Sequence, residues 1–136
     1  TNLWTVPGWV RRLVKKNHPT NVEFPGYIKG DIYEGAMTAS DVFFFPSHEE
    51  TEGIVVLEAL ASGQNVVARD IPVYGGWLDN TAATLVSTNE DFVSALRGVL
   101  DGKIDKKEAG HRVAESRSIE SISTQLVAAY QQVLDS

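Results

Sequence analysis

The sequence contains no cysteine. That removes disulfide frameworks, thiolate zinc sites and cysteine nucleophiles together, and it accords with a cytoplasmic protein. Histidine is scarce: His18, His48 and His111 are the three, and they lack metal-ligand spacing. No apolar run approaches the ~20 residues of a membrane-spanning helix. Basic residues are in the minority, 12 against 18 acidic, for a net charge of −6. Such a balance opposes non-specific nucleic-acid binding, which runs on phosphate neutralisation. Methionine occurs once, at Met37, and the chain opens at Thr1, so we expect part of a longer protein. What is present is ordinary for a globular domain: 136 residues, 43% apolar and 22% charged. A chain of this size buries roughly 68% of its unfolded surface, which suffices for one core.

The hydrophobic pattern alternates between two periods. Trp9, Val10, Leu13 and Val14 share one helical face, and Arg11, Arg12, Lys15 and Lys16 the other, up to a stop at His18-Pro19. Asn21 to Phe24 reads as a strand closed by Pro25-Gly26. Asp31 and Glu34 have capping-box spacing, which predicts a helix to about Ser40. Asp41-Val-Phe-Phe-Phe45 carries an unbroken apolar run after its aspartate, the pattern of a strand buried on both faces. Gly53 to Ser62 reads as a helix ended by Gly63, and Asn65 to Arg69 as a buried strand. Gly76 to Leu78 reads as one helical turn, and Ala82 to Val86 as a strand. Ser87 and Glu90 suggest a second capping box, opening a helix that ends near Asp101-Gly102. A weaker helix is expected over 103–117. Ser118 then caps the last one, with Ile119, Ile122, Leu126, Ala129 and Val133 on one stripe. Strands alternating with helices predict an α/β fold: an open parallel, Rossmann-like sheet with helices on both faces. Residues 1–136 are taken as one partial domain.

In such sheets ligands sit beyond the carboxyl ends of the strands. The segment Pro46-Ser-His-Glu-Glu-Thr-Glu-Gly-Ile-Val-Val-Leu-Glu58 lies there, after a buried strand and into a helix. At Gly53 the absent side chain lets a ligand approach the backbone. The N–H groups of Gly53, Ile54 and Val55 are first-turn donors, a natural seat for a diphosphate. Carboxylates repel phosphate but accept hydrogen bonds from sugar hydroxyls. Glu58 lies about 7.5 Å along the axis from Gly53, comparable to the span from a diphosphate to its ribose. Glu50 reaches the other way, to a sugar beyond the phosphates. The layout suggests a nucleotide-sugar. Acidic residues ahead of a helix are also explained simply by the helix dipole.

A resemblance joins these residues. Glu50 and Glu58 have the E-x7-E spacing of family 4 of the retaining glycosyltransferases, which share the GT-B fold. Asp41-Val-Phe-Phe-Phe-Pro-Ser47 resembles that family's strand, and Gly53-Ile-Val-Val-Leu-Glu-Ala-Leu-Ala-Ser-Gly63 its helix. Glu-Glu-Thr-Glu-Gly (49–53) and Arg-Asp-Ile-Pro-Val-Tyr (69–74) resemble the branch of bacterial glucosyltransferases that put glucose on diacylglycerol. The resemblance implies the C-terminal, donor-binding half of a hexosyltransferase, with UDP-glucose as donor. It implies a catalytic-site role for Glu50 at the donor sugar and a donor-binding role for Glu58 at the ribose diol. Gly53, Ile54 and Val55 would contact diphosphate and sugar through backbone, and Tyr27 and Ile28 would lie beside the base. No metal ion or other cofactor is implied. The family's diphosphate-clamping Arg and Lys, its first strands and its acceptor domain have no counterpart in this sequence. The chain alone is therefore expected to be inactive, and the alternative reading is a nucleotide-binding α/β module without transferase activity.

The remaining candidates keep two readings each. His48 either shuttles a proton or packs over the site. Arg69 either pairs with a carboxylate or approaches the diphosphate. Asp70 either faces the cleft or caps the turn before Pro72. The basic face at residues 11–16 is either solvated or touches an anionic membrane beside a lipid acceptor, at the inner face. Trp4, Trp9 and Trp77 are expected in the core. With the family's central strands missing, the strand at Val42–Phe45 loses a neighbour. Either the Val22–Phe24 strand closes the gap, or two chains pair across it; we expect a homodimer.

Overall fold

The computed structural model describes residues 7–17 and 20–135. The chain divides into two compact units, Thr1–Gly35 and Ala36–Ser136.

The first unit holds helix α1 (Gly8–Asn17) and the beginning of α2 (Asp31–Ala39). Pro7 opens α1 as expected: its carbonyl accepts from the Arg11 N–H at 3.2 Å. Trp9 is 62% exposed and is not a core residue; Trp4 lies outside the described residues. The strand expected at Asn21–Phe24 does not form. Residues 22–26 run without a ladder, and the strands of the sheet all come later in the chain. The capping box expected at Asp31 is also absent. Asp31 is the first residue inside α2, and the Gly30 carbonyl ahead of it accepts from the Glu34 N–H at 3.0 Å. Both acidic groups lie in the first turn, where the helix dipole favours negative charge.

The second unit is a three-stranded parallel sheet in the order β1 (Val42–Phe45), β2 (Asn65–Arg69), β3 (Thr84–Val86). Phe44 pairs with Val67, which pairs with Thr84. Side chains alternate across a strand. Val42, Val67 and Val86 therefore point one way and pack against Phe92, Ala95 and Val99 of α4 (Asn89–Leu100). Val66 and Ala68 point the other way, where β2 contacts α3 (Ile54–Ala61) and α5 (Lys107–Ser116). Helices thus cover both faces. β2 is buried through its first four residues. β1 is not buried on both faces as its composition suggests: it is an edge strand, and Phe44 is 45% exposed beside the Phe92 ring.

Several boundaries move for identifiable reasons. The helical turn placed at 76–78 is a 3-10 turn at Pro72–Tyr74, started by Pro72 at its first position. β3 begins at Thr84 rather than Ala82. The cap of α4 is Thr88, whose hydroxyl accepts from the Asp91 N–H at 3.1 Å and donates to the Asp91 carboxylate at 2.7 Å. The cap is therefore one residue later than the Ser87–Glu90 box, and its second bond joins the two side chains. Residues 103–106 stay out of α5. The Lys103 and Ile104 N–H groups close the end of α4 on the Gly98 carbonyl, and the Lys106 N–H donates to Asn65 Oδ1 at 2.8 Å. Ser118 caps α6 (Ile119–Leu134) as expected, its hydroxyl accepting from Ser121 N–H. None of the residues of α6 is buried, so its apolar stripe is an exposed face.

Candidate functional site

The carboxyl ends of the three strands are tied together by one side chain. Arg69, the last residue of β2, donates through Nε to the Pro46 carbonyl at 3.2 Å. It donates through Nη1 to the Ser87 carbonyl at 2.9 Å, and through Nη2 to Asn89 Oδ1 at 3.5 Å. Its guanidinium also lies over the Phe92 ring, 5.1 Å from the centroid. In these contacts Arg69 pairs with no carboxylate and joins the end of β1 to the end of β3. Asp70 beside it is exposed, and its N–H donates to the Val86 carbonyl at 2.9 Å.

From that clamp the chain runs through residues 46–52 into α3. Ser47 Oγ donates to the Glu49 carbonyl at 2.8 Å and folds the start of the loop. His48, Glu49, Glu50 and Glu52 are all exposed. Gly53 then takes φ 74°, a left-handed conformation, and is buried. The first helical bonds run from the Val56 and Leu57 N–H groups to the Gly53 carbonyl. The N–H groups of Gly53, Ile54 and Val55 precede that ladder, and Gly53 has no side chain to cap them. They form the anion-attracting end of the α3 dipole. Ile54 is exposed, Val55 half-buried, and Glu58 exposed one turn further on.

The exposed side of α3 is concave. A groove of about 460 Å³ is lined by Thr51, Glu52, Ile54, Leu57, Trp77 and Arg117, among others. A second, of about 600 Å³, shares Ile54, Leu57 and Arg117 and extends past Glu58 to His111 and Ile119. The depression therefore follows α3 from the loop to Glu58. Arg117 brings the cationic group that borders both parts, and its guanidinium stacks on Trp77 at 5.1 Å.

Tyr74 closes the site from below, and sequence reasoning did not single it out. Its side chain is 1% exposed. A Cβ placed on Gly53 would lie 2.9 Å from Tyr74 Cε1. Burial, and to a lesser degree the nearby Glu50 charge, push the Tyr74 hydroxyl above the usual phenol range. The available signal was the segment Arg69–Tyr74, which pointed to a family branch but carried no position relative to Gly53.

Tyr27 and Ile28 belong to the first unit. Tyr27 is 89% exposed with the Lys29 ammonium 5.4 Å from its ring centroid, and Ile28 is half-buried. Among the described residues no three His, Asp or Glu side chains gather as a metal cluster. No helix among them is long and apolar enough to cross a membrane.

Residues 9–116 match the family Glycosyl transferases group 1. A processive diacylglycerol alpha-glucosyltransferase of Acholeplasma laidlawii is 44% identical over 128 residues, 93% of this chain and 38% of that protein. A sulfoquinovosyl transferase of Arabidopsis thaliana is 51% identical over 45 residues, 33% of this chain and 9% of its own. A D-inositol 3-phosphate glycosyltransferase of Geodermatophilus obscurus is 37% identical over 98 residues, 68% of this chain and 21% of its own. The chain thus spans well under half the length of each of these relatives.

Proposed function

The chain belongs to the group 1 glycosyl transferases, and on that premise we propose that it forms the donor-binding half of a retaining hexosyltransferase that moves glucose from UDP-glucose to diacylglycerol. The observation that carries the reading is the uncapped start of α3 at Gly53, flanked by Glu50 in the preceding loop and Glu58 one turn along. Backbone donors there take the diphosphate, Glu58 accepts from the ribose diol, and Glu50 accepts from hydroxyls of the transferred sugar. As the sugar departs, charge grows on the diphosphate, and a fixed helix N-terminus stabilises it without reorganisation. The family resemblance assigns Tyr27 and Ile28 to the base. The reading needs no metal ion or other cofactor.

The name of the Acholeplasma relative supports glucose and diacylglycerol as the transferred sugar and acceptor. An α-glucoside made from an α-linked nucleotide-sugar keeps its anomeric configuration, which fits the retaining assignment. In this reading the protein works on its lipid acceptor in the cytoplasm, at the inner face of the membrane. There α1, with Arg12, Lys15 and Lys16 exposed alongside Trp9 and Leu13, touches anionic lipid. The chain is a homodimer in this reading, paired along β1.

A second reading is favoured by one observation: the chain spans 38% of the Acholeplasma protein. In it the chain by itself binds the donor without transferring sugar, because transfer also requires a second domain that excludes water and orients the acceptor.

Calorimetry with UDP on the full-length protein tests the site. Glu58→Ala removes a charge-assisted bond and should weaken UDP binding by about 1.5–3 kcal/mol. Unchanged affinity rejects the role of Glu58 and the site with it.

A further inference from the structure

We propose that Tyr74 is a positioning residue for the donor sugar, its buried hydroxyl holding the Glu50 carboxylate in place when a nucleotide-sugar occupies the start of α3. The inference rests on the function proposed above and adds to it a residue outside the loop and helix that make the site.

Tyr74 is 1% exposed, yet its hydroxyl has no hydrogen-bond partner among the described residues. Folded proteins leave few buried polar atoms in that state, and those that remain need a reason. The ring is fixed where it stands. The Tyr74 N–H donates to the Ile71 carbonyl at 3.1 Å, and Trp77 meets the ring edge-on with centroids 5.6 Å apart. Trp77 is itself anchored through Nε1 to the Val73 carbonyl at 3.1 Å. So held, the ring lies directly against the turn that starts α3. A Cβ on Gly53 would sit 2.9 Å from Cε1 and 3.5 Å from the hydroxyl oxygen. The orphaned hydroxyl is therefore at the backbone seat of the donor.

The phenol has a proton to give. Burial and the Glu50 charge both oppose its ionisation, so it stays neutral and acts as a donor. It requires an acceptor, and Glu50 lies in the loop three residues before Gly53, the residue against which the ring is packed; its charge also acts on the phenol. Glu50 is exposed and its side chain has freedom to turn. Bound sugar supplies the hydroxyls that draw the carboxylate inward, and Tyr74 then receives it at one oxygen while the sugar takes the other. A carboxylate has acceptor capacity for both. Gly53 is what permits the arrangement, since any side chain there would displace the Tyr74 ring.

The test is Tyr74→Phe in the full-length protein, with affinities for UDP-glucose and for UDP by calorimetry, and the melting temperature of the unliganded protein. UDP-glucose binding should fall about tenfold, the loss of one hydrogen bond to a charged group, while UDP binding is unchanged. The melting temperature should not fall, because the unliganded fold loses no bond. In a Glu50→Ala background the Tyr74→Phe change should add nothing. Equal loss for UDP and UDP-glucose, no loss for either, a lowered melting temperature with an unchanged affinity ratio, or additivity with Glu50→Ala each overturns the inference. Glu58→Ala is the control for the underlying reading: it should weaken both ligands, and no effect on either overturns the proposed function and this inference together.

Discussion

Gly53 meets two demands that no other residue meets together. Its φ of 74° is strained for any residue with a Cβ, and the space for that Cβ is taken by the Tyr74 ring at 2.9 Å. Gly63 separates the two effects. It has φ 73° but nothing within 4 Å of a Cβ. Gly63→Ala should therefore cost only the left-handed strain, about 1–2 kcal/mol. Gly53→Ala adds an overpacking cost of about 1–3 kcal/mol and should be clearly the more destabilising, as urea unfolding of the two variants would show. Equal losses would mean that the Tyr74 ring yields freely. The importance of Gly53 was legible in the sequence, because a glycine between an acidic loop and an apolar helix has few other uses. The reason it is pinned was not. Tyr74 follows β2, and only the parallel pairing of β1 with β2 brings the two segments after those strands together. Arg69 was ambiguous for the same cause: which carbonyls lie within its reach depends on three strand ends meeting.

Among the elements, those with a strong internal signal matched best. α3 and β2 are predominantly apolar segments with a glycine between them, and their observed limits lie within a residue of those expected. Caps and edges moved, since each is decided by competition between neighbours. Ser87 and Thr88 are both good N-caps in composition, and the choice falls to Thr88, which bonds Asp91 reciprocally. Thr88→Ala should cost about 1 kcal/mol in thermal or urea unfolding. Ser87→Ala should lie within about 0.5 kcal/mol of the parent, as for a surface position outside any cap. The reverse order would return the cap to Ser87. The strand expected at Asn21–Phe24 failed for a different reason. Its residues have strand composition, but a strand exists only with a partner, and propensity carries no information about whether one is present.

At the scale of the molecule, the open edge of the sheet is the feature with the largest consequence. Among the described residues β1 pairs with β2 alone, and the segment at residues 22–24 forms no ladder. Phe44 is 45% exposed, with Phe43 and Phe45 stacked on the opposite face of the same strand. A short, apolar, uncharged edge with unpaired N–H and C=O groups is a template for another strand. We expect a second copy to supply one under two-fold symmetry, with the two β1 strands antiparallel and both sheets joined into one. Four residues of edge bury too little by themselves, since stable interfaces remove about 1,600 Å² in total. The exposed stripe of α6, with Ile119, Leu126 and Val133, offers apolar area of the kind needed to complete one. Light scattering at micromolar concentration should therefore give twice the 14.9 kDa of a single chain. Phe44→Lys places a charge on the edge, the device by which natural sheets prevent such pairing, and should return the particle to single-chain mass with its circular dichroism unchanged. A parent chain that already scatters as a monomer rejects the β1 interface outright. A dimer that survives Phe44→Lys moves the interface away from the sheet, to α6 or to α1.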